Sequence, residues 1–149
     1  MDSYEHNVAA ERPGIYESHY LKLVDPAAER AVWLKHTLLR RTAGLEIAEF
    51  WAIRYRRGEP PVVTKREVPL SEVRADPHAV AVDAGPISLR PDRARGAIAD
   101  ARWDLTMSFG QDPLFHFPYA WMYTGGFPKK KIVTPARCAG VTIRWLLSP

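Results

Sequence analysis

Cysteine is nearly missing from this 149-residue chain: Cys138 stands alone, so no intramolecular disulfide can form. With no charged-then-apolar leader at its start, the expectation is a reducing, cytoplasmic setting. Apolar runs are short and none reaches 18 residues, which excludes a helical membrane span. There is no Gly-rich phosphate loop, no nucleophile elbow and no recognisable Ser, His and acid set. His6, His19, His36, His78 and His116 lack the spacing of a zinc site. No metal and no cofactor are therefore expected. Acidic residues stop at Asp112, which leaves Lys129, Lys130, Lys131, Arg137 and Arg144 without counter-charge at the C-terminal end.

The net charge of +4 permits an anionic partner without requiring one. The stretch "FHFPYAWMYTGGFPKKKIVTP", from Phe115, mixes aromatics with lysines as nucleic-acid grooves do. No zinc site, helix-turn-helix or RNP pattern accompanies it. The five late cations read as a solvated face, and a nucleic-acid partner is not expected.

A period of two runs through almost the whole chain. It is clearest from Ala101, where Trp103, Leu105, Met107 and Phe109 alternate with Arg102, Asp104, Thr106 and Ser108. The first set is expected to be buried and the second to face water. "GIYESHYLKLVD" and "RAVWLKHTLLRR" flank "DPAAE", in which Pro26 fixes φ and Asp25 can accept from turn amides, and the three together predict a hairpin. Further strand candidates are "LEIAEFWAIRYRR", "PVVTKREVPL", "HAVAVDA", "PISLR", "RGAIADARWDLTMSF" and "AGVTIRWLL". Leu45, Ala48, Ala52 and Tyr55 could form a helical stripe, but their aromatic and β-branched neighbours favour a strand. No convincing helix of ten residues remains. Eight or nine short strands predict an all-β, antiparallel domain over residues 13–149, preceded by a flexible segment over 1–12. A closed barrel is the simplest version, because closure removes edges and an eight-stranded barrel can hold one small ligand.

Pairing Val24 with Ala31 sets Leu23 opposite Val32, Leu21 opposite Leu34, His19 opposite His36 and Glu17 opposite Leu38. One apolar face then carries Glu17, His19 and His36, groups that could exchange a proton if buried, and these are the candidate catalytic residues. The same groups could instead lie on an outer polar face or be satisfied by hydrogen bonds. The opposite face carries Tyr16, Tyr20, Trp33 and Lys35, an equally legitimate lining for a lumen. With Trp51 and Trp103 these are the candidate ligand contacts. The strand from Ile47 to Tyr55 is apolar on both sides, Phe50 and Trp51 pointing opposite ways, so something must cover its outside.

In this order, "GIYESHYLKLVDP…RAVWLKHTLL", "AEFWAIRY", "VTKREVPLSE", "ARWDLTMSF" and "FPKKKIVTPARCAGVTI" resemble the N-terminal lipocalin-like barrel of the hydroxyneurosporene synthase and AttH-like family, which includes tocopherol-cyclase-like proteins. The resemblance runs from about Pro13 to Arg144. It implies a lipocalin-like β-barrel that binds an isoprenoid, carotenoid or polyketide-like molecule and supports hydration, cyclisation or carriage. Members of the family have two consecutive barrels, and the Gly-His-Asn-Trp-Gly type segment of the second has no counterpart here. The resemblance thus also implies a docked second barrel, and the two-sided strand from Ile47 to Tyr55 allows a homo-oligomer as partner instead. It makes Phe127, Pro128, Lys129, Thr134 and Pro135 part of a crossing into the last strands rather than a binding surface.

Overall fold

A computed structural model describes residues 13–109, 119 and 139–144, without the side chains of Phe109 and of 139–144. The expected flexible segment 1–12, the lysine-rich stretch up to Pro135 and Cys138 lie outside the described residues. The described residues are mostly antiparallel β-sheet. In chain order the strands are β1 Ile15–Asp25, β2 Arg30–Arg40, β3 Glu46–Arg56, β4 Val62–Pro69, β5 Arg74–Ala75, β6 Val82–Ala84, β7 Ile87–Leu89, β8 Arg93–Ile98, β9 Ala101–Phe109 and β10 Ala139–Arg144.

The strands form two sheets, one ordered β1-β2-β3-β4 and the other β10-β9-β8-β7-β6-β5. Among the described residues the ladder does not close, so the closed barrel expected from strand number is not seen there. After β4 the chain turns through a short 3-10 segment, Leu70–Glu72, and starts the second sheet with the two-residue β5 instead of extending the first. One core nevertheless joins them, drawing Leu34, Leu38 and Phe50 from the first sheet and Val82, Ile87 and Leu105 from the second.

The first hairpin adopts the expected register, from Ile15 opposite Arg40 to Asp25 opposite Arg30. The remaining loop is Pro26–Glu29. The Asp25 carboxylate accepts from the Ala28 amide at 3.1 Å and from the Arg30 guanidinium, and Glu29 takes a left-handed φ of 49° to close the turn. The tip of this hairpin is tied to the next. The Arg57 amide donates to the Glu29 carbonyl at 3.0 Å, and the Arg57 guanidinium meets the Glu29 carboxylate at 2.6 Å.

The run "RGAIADARWDLTMSF" is two strands, not one. β8 and β9 are joined through Ala99 and Asp100, with Ala99 at a φ of 48°, where no glycine or proline marked a turn. On β9 the alternation holds: Trp103, Leu105 and Met107 are buried while Arg102 and Thr106 are exposed and Asp104 is half-buried in an ion pair with Arg93. Trp103 lies directly opposite Gly96 of β8, and its ring occupies the space a Cβ would need.

Gly96→Ala is therefore expected to cost about 1 to 3 kcal/mol, as overpacking does, and Trp103→Ala about 3 to 5 kcal/mol. In denaturant unfolding the double variant should lose less than the sum, because without the ring the added methyl has room. Strict additivity would show that the glycine does not make space for the ring.

Candidate functional site

Because paired residues on neighbouring strands share a face, the register of the first sheet sorts every candidate. The inner face carries the rows Glu17–Leu38–Ala48–Val68, His19–His36–Phe50–Arg66 and Leu21–Leu34–Ala52–Thr64. The outer face carries Tyr16–Leu39–Ile47–Pro69, Ser18–Thr37–Glu49–Glu67, Tyr20–Lys35–Trp51–Lys65 and Lys22–Trp33–Ile53–Val63. Glu17, His19 and His36 thus come together on the core side. Tyr16, Tyr20, Trp33, Lys35 and Trp51 come together on the other side, and the sheet separates the two groups. Trp103 belongs to the second sheet and joins neither.

His36 is the unusual member of the inner face. It is 2% exposed, packed edge-on against Phe50 with ring centroids 5.3 Å apart, and neither ring nitrogen has a hydrogen-bond partner among the described residues. Burial in this apolar setting, reinforced by His19 opposite, lowers its pKa to about 4. It is uncharged at neutral pH, so it offers one N–H and one lone pair and is not a resident proton donor of the charged kind. His19 and Glu17 form the half-buried neighbour pair, with the imidazole Nε2 3.5 Å from the carboxylate. A carboxylate touching an imidazole can pass or share a proton.

Arg66 ends the same row, and the sequence reading missed it. Its guanidinium reaches across to the β6–β7 turn and lies in van der Waals distance, about 3.6 Å, of where a Cβ on Gly85 would be. The signal was available: extending the period-two row from His36 through Phe50 onto the next strand leads to position 66.

The outer face is aromatic and cationic. Lys35 sits 5.8 Å from the Tyr16 ring centre and 5.6 Å from that of Tyr20, Tyr20 packs on Trp33 at 5.7 Å, and Lys65 covers Trp51 at 4.9 Å. The Lys65 ammonium also meets the Glu49 carboxylate at 2.6 Å and that of Glu67 at 2.9 Å. Hydrogen bonds from Lys65 hold the Glu49 carboxyl below its usual range. Tyr16 is lowered by its hydrogen bonds to Ser18 and Lys35. Beneath them Thr37 is 1% exposed and exchanges a 2.9 Å hydrogen bond with Ser18. The two-sided β3 is thereby explained in part: Phe50 is fully in the core, and Trp51 is half-covered by Lys65.

Among the described residues no group of His, Cys, Asp and Glu could hold a metal ion, and no helix is long and apolar enough to cross a membrane. The chain matches no protein-family model, no curated protein and no solved structure.

The imidazole predicts a pH response with a definite sign. His36 is neutral when folded but protonates near 6.5 when unfolded, so acid favours the unfolded chain. Stability should be unaffected by this group above pH 6.5 and decline as pH falls from 6.5 to about 4, by about 3 kcal/mol in all. His36→Leu, which removes an unpaired buried polar group, should be neutral or stabilising by about 1 to 3 kcal/mol at neutral pH and should flatten that decline. Urea unfolding across the window measures both. An unchanged pH profile in the variant would place the response elsewhere.

Proposed function

We propose that this domain binds a hydrophobic small molecule against the inner face of the first sheet, with His36 meeting the ligand's one polar group. The observation that carries the reading is the buried imidazole, both of whose nitrogens lack partners among the described residues, set beside the apolar side chains of Leu34, Leu38 and Phe50. Buried polar atoms are nearly always satisfied, and ligand sites pair an apolar lining with a few placed polar groups. A hydroxyl or carbonyl on the ligand would complete the imidazole. The resemblance to the hydroxyneurosporene synthase and AttH-like family agrees in kind, suggesting an isoprenoid, carotenoid or polyketide-like ligand inside a lipocalin-like enclosure. In the enzymatic version, hydration or cyclisation, Glu17 and His19 would supply the proton, since His36 is neutral, and His36 would orient the substrate.

Native mass spectrometry of protein purified from its source should find a co-purifying lipid or pigment, and His36→Leu should lose it while remaining folded. A ligand retained by the variant would remove His36 from recognition. For the enzymatic version, Glu17→Gln keeps the shape and removes the proton, so binding should persist while turnover disappears. If binding and folding fail together instead, Glu17 is structural.

A second reading, that the domain docks another barrel or a copy of itself, is favoured by the outer face. Tyr16 is 58% exposed, and Tyr20, Trp33, Tyr55 and Val63 are exposed along the same face of the sheet. Exposed aromatic side chains, here interleaved with Lys35 and Lys65, are the kind that interfaces favour. Sedimentation should then show a species larger than one chain, and Trp33→Glu should return it to the monomer. A wild-type monomer that also fails to bind a hydrophobic dye would argue against docking.

A further inference from the structure

The second sheet contains a cleft that the inner-face reading does not use. The ladder between β7 and β8 stops at Ser88 opposite Arg95, although β8 continues along β9 through Gly96 opposite Trp103 and Ala97 opposite Arg102. Where the strands part, a cleft of about 400 Å³ opens, lined by Ser88, Arg95, Gly96, Arg102, Trp103 and Asp104, with the Gly85–Pro86 turn as its far wall. The size lies in the range of small-molecule sites.

Its donors outnumber its acceptors. The one carboxylate, Asp104, is already engaged by Arg93, which donates from Nε at 2.9 Å and Nη2 at 2.8 Å in a two-pronged pair. Arg95 reaches the same carboxylate only at 3.4 Å, and Arg102 has no carboxylate partner among the described residues. Behind the far wall, the Arg66 guanidinium lies against Gly85. The indole N–H of Trp103 is buried and has no hydrogen-bond partner among the described residues. Gly96 matters here too: without a Cβ, it lets the indole lie against β8 and so at the cleft. The site therefore combines guanidinium groups and a hydroxyl with the Trp103 ring and glycine backbone beside them.

We propose that this cleft binds a small organic molecule through an oxyanion, a carboxylate or a phosphoryl group, held by Arg95 and Arg102 with the Ser88 hydroxyl as a further donor and the Trp103 ring lining the floor. Guanidinium forks suit planar or tetrahedral oxyanions, and charge-assisted bonds are the stronger kind. The site is separate from His36 and stands whether or not the inner face binds a ligand.

The test uses the full ¹⁵N-labelled chain and the indole N–H signals of its five tryptophans. The Trp103 signal is assigned by its loss in Trp103→Phe or, if that variant unfolds, by through-bond correlation to its own backbone. Inorganic phosphate and benzoate are titrated separately at constant ionic strength, with chloride as control. The Trp103 signal should move saturably with at least one of them. Benzoate alone identifies the carboxylate source and phosphate alone the phosphoryl source. Arg102→Gln, a change at an exposed side chain, should weaken binding about tenfold, the worth of one charge-assisted contact. A Trp103 signal that moves no more than in chloride, or that moves identically in Arg102→Gln, overturns the proposal.

Discussion

The pairing of His19 with His36 fixes the rest of the first sheet. Side chains alternate strictly along a strand, so a slip of one residue would carry Leu23, Leu34, Leu38 and Phe50 to the solvent side and bring Lys35, Trp51 and Lys65 into the core. The cost of burying two lysines and exposing those apolar groups leaves a single register. Once it is set, polar groups on the inner face can lie only at particular rungs, and one of these puts His36 between His19 and Phe50. The tension at His36 follows from the same constraint that stabilises the sheet.

Much of this was legible because it is local. The hairpin needed only a turn, with Asp25 and Pro26 at its start, and two alternating runs of equal length. The buried set on β9 needed only alternation, and the opposed directions of Phe50 and Trp51 follow from their being neighbours. The turn at Ala99 and Asp100 was not legible, because its left-handed residue is an alanine and the usual marker of such backbone is absent. The meeting of Gly96 with Trp103 was also out of reach, since it depends on how β8 pairs with β9 and not on either segment alone.

Closure is not something that counting strands decides: among the described residues the two sheets stay open. The number and length of strands suit a barrel, but which edges pair is decided by long-range contacts. Here β4 ends at Pro69, a residue that cannot donate to a ladder, before the chain crosses to the second sheet. The candidate site was legible to a similar degree. The composition of each face of the hairpin could be read from its register, whereas burial, and with it the neutral state of His36, required the second sheet. Arg66 and the cleft beside Gly96 depend on contacts between segments far apart in the chain.

The joined hairpin tips have a consequence for how this sheet opens. Exposed loop ends rich in arginine are ordinary points of entry for a protease, and Arg54, Arg56 and Arg57 sit at such an end. With the Arg57 amide and guanidinium both bonded to Glu29, cleavage there is opposed by the contact between the β1–β2 and β3–β4 loops. The two loops are thereby linked, and amide exchange at the β1–β2 tip is expected to rise and fall with trypsin sensitivity at the β3–β4 tip.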